Sequence, residues 1–214
     1  MRQSSRAYDS GKDYARLSLA EASAELRNVA RDARSTFGDL DEGQLNWHPG
    51  DARWSVAQCF YHLFTGNRLV HRAAQDATER PAHSVWQRLP ILPRVFGKLL
   101  IRSQGPASRW KFTAPTRARP TGADIPRDII EQFAGQQVDA AAWIDTVDEH
   151  HAARSIMISP FVQFVTYSVL DACRLLAAHD RRHFEQARRV VLMREFPIPL
   201  EETRGQHGNG TLYT

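Results

Sequence analysis

Apolar residues recur at spacings of three and four along four long stretches of this 214-residue chain. At that period an α-helix presents a single apolar face, so each stretch predicts a helix packed on a core. The first three predicted helices cover about residues 13–36, 55–80 and 127–150, and a fourth begins between 160 and 166 and ends near 194. Four such helices predict an all-α fold, a four-helix bundle.

Local residues support the ends of two of these helices. Ser55 and Gln58 stand three apart, which is the spacing of a capping box at a helix start. Pro197 and Pro199 follow the fourth helix and would end it, because proline cannot donate a helical hydrogen bond. The β-branched stretch "FVQFVTYSV" (161–169) could instead form a strand. A lone strand has no pairing partner, so the sequence predicts no sheet.

A long crossover over about residues 81–126 separates the second and third helices, and a short helix is predicted within it over 95–102. Between Pro81 and Ala123 the chain has no acidic residue but eight of its 28 basic residues. The rest of the chain has 20 basic and 24 acidic residues, so this segment accounts for the net charge of +4. A segment of this charge would suit an anionic binding partner.

Composition points to an ordinary globular protein. No apolar run approaches the roughly 18 residues that a membrane span needs, and the N-terminal residues lack the apolar core of a signal peptide. Cys59 and Cys173 fall in predicted helices, which suits buried thiols in a reducing compartment. We therefore expect a cytoplasmic protein with no membrane partner, with one domain over 1–195 and a loose tail over 196–214.

Three histidines occupy positions on the apolar faces of predicted helices. His179 and His183 are four apart, about one helical turn, and both interrupt the apolar stripe of the fourth helix. His62 lies on the inward stripe of the second helix. Two histidines at this spacing can bind one metal ion, and a third imidazole from a facing helix would complete a set with an open position. Imidazole suits Zn, Ni, Cu and Fe(II), so the ligand type does not name the metal.

The same three histidines could instead be core residues whose rings are satisfied by Asp180, Gln58 or Gln186. The remaining histidines lie in loops, at helix edges or in the tail and are not predicted as ligands: His48, His71, His83, His150, His151 and His207. His150 and His151 would suit the C-terminus of the third helix, where cationic side chains are favoured.

Two short motifs resemble the DinB/YfiT-like superfamily of metal-dependent enzymes. The first is a Trp-Ser helix start followed by a histidine, here "WSVAQCFYHL" (54–63). The second is a late His-x-x-x-His helix ending in Gln, here "HDRRHFEQ" (179–186). "LNWHPG" (45–50) also resembles the family's loop into the first motif. In helix order and spacing, the resemblance covers roughly residues 13–194.

The resemblance implies an up-down-down-up bundle that is often dimeric, so we expect a homodimer. It implies a divalent metal held by His62, His179 and His183, and Zn or Ni is the expected ion. Characterised relatives include transferases and isomerases that use a low-molecular-weight thiol. The implied activity is therefore a thiol-dependent transferase or a hydrolase, in which the metal activates a thiol or a water. The long basic crossover departs from the family pattern, so no relative's substrate transfers to this chain.

Catalytic residues are not identified by the sequence, which offers no convincing general acid or base. Asp180 follows His179 directly and so leaves the helix about 100° round from it, which argues against a catalytic role. Arg181 and Arg182 are predicted to lie on the outward, solvated side of the fourth helix.

Two alternatives to an enzyme stay open at this point. A non-enzymatic bundle would use the basic residues of 81–123 to bind an anionic partner, with Trp86, Trp110 and Phe112 interleaved among them. Nucleic acid is the less expected of such partners, because aromatic residues beside a bundle usually anchor a crossover on its core. A metal-free relative would retain the three histidines as core residues only.

Overall fold

Seven helices and two short strands make up the part of the chain that the structure describes. The structure, a computed structural model, describes residues 12–50, 53–80, 92–104, 120, 124–162 and 165–197. In chain order the elements are α1 (Leu19–Phe37), α2 (Glu42–Asn46), α3 (Val56–Glu79), α4 (Leu92–Gln104), α5 (Ile129–Ile144), α6 (Glu149–Arg154), β1 (Ile156–Ile158), β2 (Thr166–Ser168) and α7 (Val169–Val191). A single 3-10 turn, Tyr14–Arg16, precedes α1.

Capping boxes set the starts of α1, α2 and α3. At α3 the Ser55 hydroxyl accepts from the Gln58 backbone N–H at 3.1 Å, and the Gln58 side chain accepts from the Ser55 N–H at 3.3 Å. This reciprocal pair confirms the predicted start of the second long helix. Ser18 does the same for α1, so that helix begins at Leu19 and not at the predicted Asp13.

In the four-helix bundle, α1 packs on both α5 and α7. It is antiparallel to α5, because Arg34 near its end pairs with Glu131 near the start of α5 at 2.9 Å. It is parallel to α7, because Leu17, just before α1, accepts from Arg174, while Asp32 near its end pairs with Arg181 further along α7.

α3 also packs on both α5 and α7. It is parallel to α5, because Phe60 packs on Phe133 while the later His71 packs on Trp143, with ring centroids 5.0 and 4.9 Å apart. Its contacts with α7 run in the opposite direction, so those two helices are antiparallel. α1 and α7 thus point one way and α3 and α5 the other, which confirms the up-down-down-up bundle.

The end of the bundle before α7 differs from the sequence prediction. The third helix does not continue to His150: α5 ends at Ile144, and α6 starts anew because the Asp148 side chain accepts from the His151 N–H at 2.7 Å. His150 and His151 therefore lie in α6, and the predicted cap at the end of the third helix is wrong.

A small antiparallel sheet also corrects the prediction. β1 pairs with β2 in the register Met157 opposite Tyr167. Part of the stretch 161–169 does form a strand, because residues 156–158 supply the pairing partner that the sequence did not reveal. Since β2 occupies residues 166–168, α7 begins only at Val169, where the Ser168 side chain caps it.

The core consists of two apolar clusters stacked along the bundle. In α7 the residues up to Ala178 belong to one cluster and those from Phe184 onward to the other. In α3 the boundary lies between Leu63 and Val70. Polar side chains lie at this boundary, among them Asn67 on α3 and Asp180 and Arg181 on α7.

The short helix predicted over 95–102 is present as part of α4, which packs on α7 and β2. The other crossover residues at 81–91, 105–119 and 121–123, and the predicted tail from 198 onward, lie outside the described residues. Where the tail was predicted to start, Phe196 packs on Trp47 with ring centroids 5.6 Å apart. Among the described helices, none is both long and apolar enough to cross a membrane.

Candidate metal site

His62 on α3 and His179 and His183 on α7 converge at one point of the bundle. Each ring offers one nitrogen to a common group in which all three atoms lie within 4.8 Å of one another. The His62 and His179 Nε2 atoms are 3.0 Å apart. Ring centroids are separated by 4.5 Å for His179 and His183, and by 4.8 Å for His62 and His183. The three residues predicted as a ligand set are therefore together in space.

Helix geometry accounts for this convergence. The spacing of four places His179 and His183 on one face of α7, and the capped start at Ser55 sets where His62 leaves α3. Because α3 and α7 are antiparallel neighbours, the two faces meet at the level of the boundary between the core clusters. His62 and His183 are 5% and 8% exposed, whereas His179 is half-buried.

The electrostatic setting favours the neutral form of His179 and His183. Burial lowers the pKa of His179 and of His183 well below the usual value, and the positive charge that a neighbouring imidazole would carry lowers it further. Arg182 acts in the same direction on both. A neutral imidazole has a lone pair available, which is the state in which histidine binds a metal.

Hydrogen bonding tests the alternative of satisfied core histidines. The Gln186 side chain raises the pKa of His183, against burial, as that alternative allows. In the part of the chain that the structure describes, Asp180 makes no hydrogen bond to a histidine ring: its Oδ1 accepts from Asn67 Nδ2 at 2.7 Å and its Oδ2 has no partner. The Gln58 side-chain oxygen accepts from the Ser55 N–H. Within the described residues, the buried Nδ1 atoms of His179 and His183 have no hydrogen-bond partner.

These residues fit a divalent cation. Three nitrogens bound at about 2.0–2.1 Å to one ion at tetrahedral angles lie roughly 3.4 Å apart. The observed separations of up to 4.8 Å are of that order, and a donor set of three imidazoles is one that first-row divalent ions favour.

Trp54 forms one wall of the site. Its ring lies 5.0 Å from that of His62 and stacks on that of His183 at 5.7 Å with an interplanar angle of 19°. The sequence indicated Trp54 only as part of a motif. Its position directly before the Ser55 cap, two turns from His62, was the feature that could have placed it beside the rings.

Arg181 and Arg182 were predicted to be solvated, and this is wrong. The Arg181 side chain is 12% exposed and pairs with Glu25 at 2.8 Å and Asp32 at 2.9 Å, because α1 covers that side of α7. Arg182 donates to the Ser103 carbonyl at 2.8 Å, because α4 covers the other side. Burial lowers the pKa of Arg182, and Arg189 adds to that effect.

Asp180 is fully buried beside the ligand set. Burial raises the pKa of its carboxyl to about 8, against the hydrogen bond from Asn67 and the charge of Arg181, which lower it. Its Oδ2 makes no hydrogen bond within the described part of the chain.

The remaining described histidines and both cysteines lie elsewhere. His71 packs on Trp143, and His151 Nε2 lies 3.1 Å from the Thr78 carbonyl oxygen. Cys59 and Cys173 are free and buried, and burial raises the pKa of each thiol to about 12. Neither thiol is therefore available as a thiolate near neutral pH. His83 and His207 lie outside the described residues.

The chain belongs to the DinB superfamily, whose sequence model matches residues 25–187. Among solved structures, the chain is similar to YfiT from Bacillus subtilis, described as a probable metal-dependent hydrolase with an unusual four-helix bundle topology. The match has a TM-score of 0.52 and 13% identity, and it covers 81% of this chain and 85% of YfiT. At that identity the likeness shows a shared fold. A search of curated proteins found no match.

Proposed function

We propose that this protein is a metal-dependent enzyme in which His62, His179 and His183 hold one divalent cation. The observation that carries the proposal is the convergence of three imidazole nitrogens from two helices within 4.8 Å. Membership of the DinB superfamily supports it, and so does the likeness to YfiT, itself described as a probable metal-dependent hydrolase.

The residues around the proposed metal site would have distinct roles in binding the ion and admitting substrate. A divalent ion held by three neutral imidazoles retains an open position and, as a Lewis acid, lowers the pKa of a water or thiol. Burial lowers the pKa of His179 and His183 and so favours their unprotonated form, and Trp54 shields the His62 and His183 rings from solvent. The partly exposed His179 marks the side from which solvent and substrate would approach.

Hydrolysis is the reaction class that we favour, and thiol-dependent transfer is the second candidate. Both cysteines of the chain are buried with a pKa of about 12, so a transferase would need a separate low-molecular-weight thiol. Activity toward activated esters, measured with and without added thiol, separates the two: hydrolysis proceeds without the thiol, and transfer requires it.

Other parts of the proposal come from the resemblance and the composition. Zn or Ni is the proposed ion, since imidazole suits both. A homodimer and one domain over 1–195 stay predictions. Two free, buried cysteines suit a reducing compartment, which supports a cytoplasmic location.

Metal content tests the proposal directly. Protein purified without an affinity tag and without added nickel is expected to contain close to one divalent ion per chain by elemental analysis. His62→Ala, His179→Ala and His183→Ala should each lower metal affinity by at least about tenfold, because each removes a ligand outright.

His71→Ala is the matched control, since His71 is a half-buried histidine of α3 that packs on Trp143 and lies outside the ligand group. It should bind metal like the wild type. The proposal is wrong if the wild type has no stoichiometric metal, or if His179→Ala binds metal as tightly as the wild type does.

Binding of an anionic partner through residues 81–123 stays a prediction as well. Most of that segment lies outside the described residues. Within α4, Lys98 and Arg102 are exposed, and neither forms an ion pair with a described acidic residue. A gel shift that weakens with salt would support this function.

A further inference from the structure

The hydrogen bond between Asn67 and Asp180 joins the two helices that supply the three histidines. Asn67 Nδ2 donates to Asp180 Oδ1 at 2.7 Å, and the two residues are 4% and 0% exposed. Asp180 is the residue after His179 on α7, and Asn67 lies five residues after His62 on α3. The bond therefore lies beside the histidine group in the sequence of both helices.

Stability alone does not explain this pair. Burying a carboxyl and an amide side chain costs desolvation free energy, and replacing such a pair with apolar residues of similar size is often neutral or stabilising. Asp180 Oδ2 makes no hydrogen bond within the described residues, so the carboxyl is only half satisfied. The best-attested use of a costly buried polar contact is to fix the register between neighbouring elements.

Register matters here because the ligands are divided between two helices. A shift of α7 by one residue along its axis moves His179 and His183 by about 1.5 Å and turns them by about 100°. Metal–nitrogen distances tolerate only about 0.2 Å of change. Apolar contacts between α3 and α7 resist such sliding weakly, because they have no direction, whereas a single buried hydrogen bond has one position of best geometry.

We propose that Asn67 and Asp180 are positioning residues that hold α3 and α7 in the register at which His62, His179 and His183 bind the cation. This inference rests on the proposed function. The pair acts through the histidines and does not contact the cation.

The test measures Co(II) binding by the folded protein, using its visible absorption and competition with a chelator. N67L/D180L replaces both partners with apolar side chains and should fold with a midpoint of urea unfolding at or above that of the wild type. Its Co(II) affinity should fall by at least about tenfold, as for other residues that orient metal ligands, and its visible spectrum should change.

The exchanged double variant N67D/D180N returns an amide donor opposite a carboxylate. It should recover most of the lost Co(II) affinity and the wild-type spectrum, while N67D alone, with two facing carboxyls, should not. Val70→Ala is the control for a purely structural effect. It removes buried apolar contacts from α3 one turn beyond Asn67, so it should lower stability and leave Co(II) affinity unchanged.

The outcomes separate this inference from the proposed function. Wild-type protein that fails to bind Co(II) overturns the proposed function and this inference with it. Wild-type protein that binds Co(II), with N67L/D180L binding it equally tightly and with the same spectrum, overturns the positioning role alone.

Discussion

Charged side chains inside the bundle are stabilised by partners from other helices. Burial by itself raises the pKa of Glu25, but the hydrogen bond from Lys12 and the charge of Arg181 outweigh it, so the pKa is lowered. Glu25 thus stays ionised in the core and anchors Arg181, which also reaches Asp32. A single ion-paired network connects α1 to α7 immediately beside the ligand helix face.

His71 gives a prediction about pH. Its Nε2 is buried with no hydrogen-bond partner among the described residues, and burial lowers its pKa although Asp139 opposes this. The unfolded chain therefore takes up a proton on His71 at a higher pH than the folded chain does. Above pH about 8 both states are neutral there, and as the pH falls through about 6.5 the unfolded state binds more protons, so the free energy of unfolding falls.

His71→Gln should remove this contribution. The difference in unfolding free energy between wild type and variant, measured by urea denaturation, should be constant above pH about 8 and move against the wild type at lower pH. His179, His183 and Asp180 also titrate with shifted pKa values, but they are present in both proteins and cancel in the difference. A difference that does not change with pH would contradict the prediction.

Sequence patterns could predict the histidine group but not its surroundings. His179 and His183 share a helix face by spacing alone, and the motif around Ser55 pointed to His62. Whether Arg181 and Arg182 are buried depends on which helices cover α7, and the apolar periodicity of α7 does not contain that information. The Asn67–Asp180 bond was missed for the same reason, since it joins residues 113 apart in the chain.

At the scale of elements, α4 shows how closely a crossover helix docks on the bundle. A Cβ added at Gly97 would collide with the Asp171 carboxylate in the first turn of α7. Asp171 cannot easily move aside, because it pairs with Arg174 at 3.1 Å and its backbone N–H donates to Ser168.

Gly97→Ala should therefore destabilise the protein by about 1–3 kcal/mol, the usual cost of overpacking a close contact. Gly135→Ala is its control: it lies inside α5, where an added Cβ meets nothing within 4 Å. That change should be stabilising by up to about 1 kcal/mol, because alanine favours the helix. Urea denaturation of both variants makes the comparison, and equal effects of the two substitutions would argue against close docking at Gly97.

Element boundaries show what the sequence could not settle. Helix starts with a capping side chain were predictable, as at Ser55. The sheet was not, because a three-residue strand has too little pattern, and each strand is recognisable only once its partner is known. The break between α5 and α6 was hidden by apolar residues that continue at helical spacing.

At the scale of the whole molecule, the proposed cation would stabilise the entire bundle, because α3 and α7 contribute to both core clusters. At a free metal concentration of 100 times the dissociation constant, the gain is about 2.7 kcal/mol. For a chain of this size that corresponds to a rise in Tm of about 5–10 °C.

Calorimetry or thermal circular dichroism with and without Zn(II) measures this rise. One unfolding transition is expected, and it should shift as a unit with metal in the wild type but not in His179→Ala. Two separate transitions would show that the clusters unfold independently, and an equal shift in the variant would place the metal elsewhere.

The parallel arrangement of α3 and α5 has a consequence for chain length. A chain that leaves the end of α3 must return along the full length of that helix, about 36 Å, before α5 can begin. An extended tether of about 11 residues would suffice, yet residues 80–128 are used. The helices that carry the three histidines lie outside this return segment, so a reporter module grafted into it, away from α4, would leave those helices intact.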